Sequence, residues 1–447
     1  MRGRVAPPRL GSRARRLARA LLLALLAAPA PAAALLGDAQ GPVGLDGSLR
    51  TVAAGIDNYS FRPFFGGAAG DALSQTLLRL TLVGRPRAWV SYEVHGVQSV
   101  DYASGGSALG ALPFSLVPRD VRYRALDAAR TWHEERQVTA TLWFDRANVK
   151  LALPWADVTL GRQAITLGKT YFWNPLDVFL PFDPQQFDQE YKPGVDAVRL
   201  QVPLGRFAGL DVIGAAGRTL TALGTFADGD RALDATWFGS AVLGRAFTTV
   251  GGWDLALQGG KVYGGYELGG GLVGEVGPLE VRAEGAQLWA DGSPPLFPGL
   301  FPASERQVED AFTGVVGLGH RFPSSLTLEG EYFLNGAGDP DRLEAALVRF
   351  ANGGTLALGR HLLGFLVSYE ILPILTGQLG WIVDAGDPSV QLQPRLLWSA
   401  ADEVDVLAGA IVGRGERPVE PVPGAVELRS EFGTFPDVYY VEVKLYF

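Results

Sequence analysis

The chain has 447 residues, of which 58 are Gly and 29 Pro, with 19% charged residues, one Met and no Cys. Gly stands near twice its ordinary ~7% usage, and a hydrophobic content of 47% excludes a disordered tail protein. The lack of Cys excludes disulfides, thiolate catalysis and Cys-ligated metal, and a formal charge of −8 has the wrong sign for a nucleic-acid partner. Length alone suggests two or three soluble domains, an expectation the patterning contradicts.

Residues 2–19 hold seven Arg and no acid; an apolar run over 20–28 follows, then Pro29, Pro31 and three Ala at 32–34. This is the layout of a secretory signal peptide over 1–34, with cleavage near Ala34 or as late as Ala39. The apolar run is too short to cross a bilayer. Its removal takes seven of the 39 Lys and Arg, leaving 32 bases against 47 acids and a net charge near −15.

Downstream no stretch reaches the ~18 apolar residues of a membrane helix. The charge-free stretch 102–118 is broken by Gly, Ser and Pro, and only 125–136 looks helix-prone. Period-two alternation dominates instead. Leu78, Leu80 and Leu82 interleave with Arg79 and Thr81; Val138, Ala140, Leu142 and Phe144 interleave with Thr139, Thr141 and Asp145. Strands are expected near 48–57, 73–84, 87–99, 136–153, 157–168, 194–204, 209–218, 233–244, 252–259, 262–273, 278–290, 309–321, 325–335, 359–371, 374–384, 388–399, 403–414 and 437–447. Segments of this length suit a tilted bilayer crossing better than the 5–6 residues usual in a soluble sheet.

Connection lengths carry a second signal. Long connections at 58–72, 100–135, 169–193, 219–232, 291–308, 336–358 and 415–436 alternate with short ones such as 85–86, 154–156, 205–208, 274–277, 322–324 and 400–402. Long loops at one end and tight periplasmic turns at the other are how an outer-membrane barrel is built. Two connections, 260–261 and 385–387, are short where long ones are expected. The expectation is an all-β, antiparallel, up-and-down transmembrane β-barrel formed as one domain by residues 40–447, with 18 strands, or 16 as the alternative. At its end Tyr439, Val441, Val443, Leu445 and Phe447 share one apolar face. This ending resembles the terminal β-signal that the barrel-assembly machinery reads in bacterial outer-membrane proteins.

Residues 145–200 are the most distinctive. They contain Asp145-Arg146, Gly161-Arg162-Gln163-Ala164-Ile165, Gly168, Trp173-Asn174-Pro175-Leu176-Asp177-Val178-Phe179, Pro181 and Glu190-Tyr191-Lys192-Pro193-Gly194-Val195-Asp196-Ala197-Val198-Arg199. The block resembles porin-like outer-membrane proteins, similar to the alginate-export type. The resemblance covers roughly 55 residues and implies the barrel and its outer-membrane location rather than a substrate. Those proteins often carry Trp before the Gly; here Leu167 precedes Gly168, so no lumen contact carries over through that position.

Loop 169–193 holds seven aromatics together with Asp177, Asp183, Asp188 and Glu190. One reading folds it into the lumen as a constriction, its acids facing Arg162, Lys169, Lys192 or Arg199. A second packs it on the rim, with its aromatics in the interfacial girdle. A third uses Asp183 and Asp188 as hard oxygen ligands, though without EF-hand spacing. Alternation points Gln163 inward and Arg162 toward lipid, an expensive position, so a bulge is expected after Gly161.

Motifs suggestive of chemistry have simpler explanations. Gly269-x-Gly271-x-x-Gly274 has no βαβ context. His95, His133, His320 and His361 have no metal-ligand spacing, and no nucleophile elbow exists. Ser91, Glu93 and His95 share an inward face, but Ser91 and His95 lie roughly 13 Å apart along a strand. No enzyme, cofactor or metal is implied. Inward parity assigns the lumen the acids Glu93, Asp145, Asp254, Glu280, Glu284, Glu329, Glu331, Glu370, Glu403, Asp405 and Glu442. The bases are Arg79, Arg199, Arg282, Arg395 and Lys444. The expectation is an outer-membrane channel for passive diffusion of small polar solutes, mildly cation-preferring. The alternatives are a closed-lumen receptor or adhesin and a polymer exporter. Arg119, Arg122, Arg124, Arg130 and Arg136 in loop 100–135 form either an anion-binding patch or, preferably, a surface self-paired with the loop's acids. The expected partners are outer-membrane lipid, the assembly machinery and a small solute.

Overall fold

Long alternating strands pose a problem at their edges, because every unpaired backbone group costs several kcal/mol in hydrocarbon. The computed structural model, which describes residues 35–37, 41–57, 70–104, 122–179, 190–219, 235–297, 299–422 and 425–447, solves it by closure. The ring runs β1 (Gly44–Asp57), β2 (Gly70–Arg87), β3 (Val90–Ala103), β4 (Val138–Ala152), β5 (Asp157–Gln163) and β6 (Val195–Pro203). It continues with β7 (Ala208–Ala215), β8 (Ala241–Val250), β9 (Trp253–Val262), β10 (Gly265–Val276), β11 (Leu279–Ala290) and β12 (Ala311–Arg321). It ends with β13 (Thr327–Asn335), β14 (His361–Leu372), β15 (Leu375–Asp384), β16 (Ser389–Ala401), β17 (Val404–Arg414) and β18 (Asp437–Tyr446). Each strand pairs antiparallel with the next, and β18 returns to β1 from Ser48↔Tyr446 to Asp57↔Asp437. The count among the described residues is therefore 18, not 16.

Side-chain direction follows the strand period. Leu142, Phe144, Val198, Leu210, Val212, Leu257, Val316 and Leu318 stand exposed on the outer face, a band suited to lipid and hostile to water. Trp89, Trp155, Phe207 and Phe322 lie exposed by the short turns; Trp289, Phe312 and Tyr439 lie toward the long loops. These are the two interfacial girdles. Tyr439 and Val441 face outward, while Phe447 exchanges backbone hydrogen bonds with Gly47 at 2.6 and 2.9 Å. Gly is needed there, since a Cβ on Gly47 would collide with the Phe447 ring.

Several boundaries differ from expectation. The strand expected at 233–244 is Ala241–Val250, because inward Phe247 beside Arg245 blurs the polar–apolar contrast. The turn expected at 260–261 lies at Tyr263–Gly264; Gly260 instead sits within β9 at φ +151°. The helix-prone stretch 125–136 contains the strand Ala129–Glu134, which pairs with β4 above the point where β5 stops. An unfilled gap in the wall outweighs local propensity. Outside the ring, the described residues also include the strand Leu36–Gly37, paired with β1, and the hairpin Val419–Val422/Ala425–Glu427. Among the described residues two helices, α1 (Leu343–Ala351) and α2 (Glu431–Thr434), form within outer loops where none was expected.

The two short outer turns are genuine and are covered by neighbouring loops. Tyr263 N donates to Tyr123 Oη at 2.9 Å, and the Arg122 guanidinium lies 4.2 Å over the Tyr263 ring. At the other, Asp387 Oδ2 accepts from Glu431 N at 2.7 Å. The residues of the signal-peptide expectation, 1–34, lie outside the described residues.

Candidate functional site

β5 ends after seven residues, at Gln163, and the chain turns into the ring. Ile165 and Leu167 are buried in one cluster with inward-facing Val195, Ala197, Ile213 and Leu243. The path then crosses to the far wall. Lys169 N and Leu176 N donate to the two oxygens of Glu284 on β11, the second at 3.3 Å. Tyr171 N and Phe172 N donate to the two oxygens of Glu331 on β13, the second at 2.8 Å. Trp173 stacks on Phe333 of β13 with centroids 5.1 Å apart and planes inclined by 15°. Gln258 Nε2 holds the Leu176 carbonyl at 2.8 Å.

The glycines of the 269–274 motif acquire a packing reason here. A Cβ on Gly269 or Gly271 would strike the Leu176 methyls at 2.6 and 2.9 Å, and one on Gly274 would collide with the Trp253 ring.

The return limb is tied to the opposite side. Glu190 accepts from Arg50 at 3.1 Å, Lys444 at 2.9 Å and Tyr446 Oη at 3.2 Å. The Tyr191 ring lies under the Arg79 and Arg50 guanidiniums at 4.2 and 5.7 Å. Lys192 and Asp177 form a buried ion pair that joins the two limbs. Asp183 and Asp188, with the metal-ligand reading they carried, lie outside the described residues. Among the described residues no three His, Cys, Asp or Glu side chains form a group that could hold a metal ion.

The other predicted positions fall as follows. Arg162 and Gln163 are both buried, and the bulge expected after Gly161 is not a register shift: pairing continues through Gly161 on both sides, with the distortion confined to its φ of +108°. Arg162 is shielded from lipid another way. It pairs with Asp196 at 2.7 Å and donates to the carbonyls of Phe144 and Leu126 at 2.8 and 2.6 Å. Gln163 donates to the Ala197 carbonyl at 3.1 Å. Arg199 pairs with Asp211 at 2.6 Å, Arg282 with Glu329 at 2.9 Å and Glu280 at 2.6 Å, and Arg395 donates to Gln393 at 3.1 Å. Neither Arg162 nor Arg199 meets an acid of the loop in these contacts. His95 engages Glu93 and Arg79 at 2.8 and 3.1 Å.

Pattern reasoning missed the partners. Asp145 accepts from Arg79 at 2.9 Å and from Arg124 at 2.7 Å, so Arg124 pairs with the wall rather than with its own loop. Arg122 likewise leaves its loop, donating to the Asn352 carbonyl at 3.1 and 2.5 Å. Inward parity could flag Asp145; nothing local could name its partners.

Two cavities open on the short-turn side of the crossing loop. One, of about 720 Å³, is lined by Lys150, Lys169, Arg245, Phe247 and Asp254 among others. The other, of about 450 Å³, is lined by Asp46, Glu93, His95, Tyr191, Glu403 and Tyr446 among others. On the opposite rim the long loops brace one another. Arg349 of α1 donates to Glu305 and Glu309 at 2.6 and 2.5 Å, and Leu428 N donates to Glu344 at 2.7 Å. Glu431 of α2 accepts from Leu358 N and Gly359 N at 3.2 and 2.7 Å. Burial, then the neighbouring Asp384 carboxylate, pushes its carboxyl well above the usual carboxylate range. A raised acid stabilises fully below its unfolded pKa of ~4.3 and loses that contribution as pH rises through the raised value. Hydrogen exchange across α2, where the two carboxylates come to repel each other, is therefore expected to quicken as pH rises, and Glu431→Gln to reduce that dependence beyond the intrinsic exchange rate. A dependence identical in the variant defeats this assignment.

The sequence matches no protein-family model and no curated protein. Its fold does match solved structures of outer-membrane porins. It is similar to OccAB2 of Acinetobacter baumannii at TM-score 0.54 and 9% identity, over 92% of this chain and 99% of that one. It is similar to Pseudomonas aeruginosa OpdK, solved with vanillate, at 0.54 and 12%, covering 91% and 98%. For P. aeruginosa OccK8 (OprE) the values are 0.53 and 12%, covering 91% and 98%. The likeness is one of fold: the chain forms a porin-like, 18-strand β-barrel.

Proposed function

We propose that this barrel is a passive diffusion channel for small polar solutes, narrowed by residues 164–179 and 190–193 and mildly cation-preferring. A ring of 18 strands is wide enough to leave an aqueous path around an inserted segment, and the porin fold supports a channel. The observation that carries the charge preference is the smaller cavity. Asp46, Glu93 and Glu403 line it, and among the described residues neither Lys nor Arg does. The larger cavity is balanced, with Asp157, Asp211, Asp254 and Glu284 against Lys150, Lys169, Arg206 and Arg245. Rings of fixed carboxylates raise the local cation concentration. An acid-lined path also disfavours export of a polyanion.

Planar-bilayer recording under a potassium chloride gradient tests this. The expected reversal potential has the sign of cation preference; an anion-selective potential overturns the charge reading. A folded sample that never conducts overturns the channel and favours a closed-lumen surface receptor.

A further inference from the structure

Glu284 and Glu331 differ from the other lumen acids. Both oxygens of each carboxylate accept from main-chain N–H groups of the crossing segment, Lys169 and Leu176 on one, Tyr171 and Phe172 on the other. Glu329, one inward position away, instead pairs with Arg282 at 2.9 Å. The wall beside each of the two is stripped to glycine. Gly271 lies across from Glu284, while Gly317 and Gly364 flank Glu331 on its two neighbouring strands. A Cβ on Gly364 would meet the Phe172 ring at 2.7 Å, and one on Gly271 the Leu176 side chain at 2.9 Å. Each glutamate thus stands in a socket shaped for the main chain of the segment. A carboxylate facing several N–H donors forms the stronger, charge-assisted kind of hydrogen bond, and the missing side chains let the backbone come close enough to make it.

We propose that Glu284 and Glu331 are positioning residues that clamp residues 169–176 against β10–β14 and so set the aperture and size limit of the channel, rather than selecting ions. The aperture half of this rests on the channel reading above; the clamp itself does not. A Gln at either position keeps the shape but presents one acceptor and one donor to two N–H donors, so it loses one bond and sets donor against donor.

The experiment compares the parent barrel, the double variant Glu284→Gln/Glu331→Gln, and Glu280→Gln, which removes a lumen charge paired with Arg282. The double variant is expected to raise single-channel conductance at least ~2-fold and to admit larger sugars in liposome swelling, since pore cross-section governs both. Its reversal potential is expected to move less than that of Glu280→Gln. Should the double variant fail to give a folded barrel, each single variant is read in the same way with a smaller expected rise. The chain has no Cys, which permits a second readout independent of conduction. Leu176→Cys and Ala256→Cys place two thiols on side chains that line one cavity and leave the glycine sockets untouched, and a short bifunctional thiol reagent should join the pair efficiently. Adding the two Gln substitutions should lower that cross-linking several-fold. Unchanged cross-linking together with unchanged conductance and size limit overturns the clamp. A shifted reversal potential alone reduces both residues to ordinary lumen charges. If the parent barrel does not conduct, the channel reading fails while cross-linking still decides the clamp.

Discussion

Replacing Asp145 with Asn is expected to destabilise the barrel by about 3–5 kcal/mol, because removing one partner of a buried ion cluster leaves the others uncompensated. Asp145 is only 1% exposed and is shared by Arg79 and Arg124, both also buried. Arg124 in turn holds the Gly194 carbonyl at 2.9 Å, at the entry to β6. The substitution therefore strikes where the wall is least regular, above the short β5. The temperature at which the folded species converts to the unfolded one on denaturing gels should fall clearly. A second substitution, Arg79→Gln, should recover part of the loss, since the two sites share one interaction. A shift within the range of ordinary surface substitutions, about 0.5 kcal/mol, shows that other groups compensate the arginines.

The second large effect concerns Trp173, which is 2% exposed and stacked on Phe333. Truncation to Ala removes a buried aromatic whose loss costs about 3–5 kcal/mol in a packed core. Here the packing belongs to an inserted segment, and local units of a protein can open without global unfolding. Trp173→Ala should leave the melting of the ring nearly unchanged. Amide exchange over 164–179 should rise, and the open-channel current should grow noisier and larger. Exchange that stays slow across this segment shows that its main-chain anchors suffice without the ring.

Most of the wall is legible in the alternation of residues alone. The strand expected at 136–153 is Val138–Ala152, and that expected at 278–290 is Leu279–Ala290, because one face must meet lipid and the other must not. Legibility fails where this contrast fails. Lys261, expected in a turn, is buried and donates to the carbonyls of Phe238 and Ser240, so it carries no surface signal. The stretch 125–136 has helical composition, yet its backbone partners lie on β4 and at Asp196. For the site, periodicity marks which face a residue takes and is silent on its partner. It places Glu284 and Glu331 inward, but the amides they hold are 115 and 160 residues away for Lys169 and Tyr171. No local pattern encodes such a distance.

Those separations bear on how the molecule is made. The segment that divides the lumen is held by β11 and β13 on one side and, through Glu190, by Arg50 of β1 and Tyr446 of β18, the latter 256 residues away. Contacts between such distant parts must follow the chain closure that brings them together. The full anchorage of Glu190 needs Arg50 of β1 together with Lys444 and Tyr446 of β18, so it is complete only when the first and last strands lie side by side. That end of the inserted segment is therefore a marker of closure: its three contacts exist together only in a barrel whose two terminal strands have met.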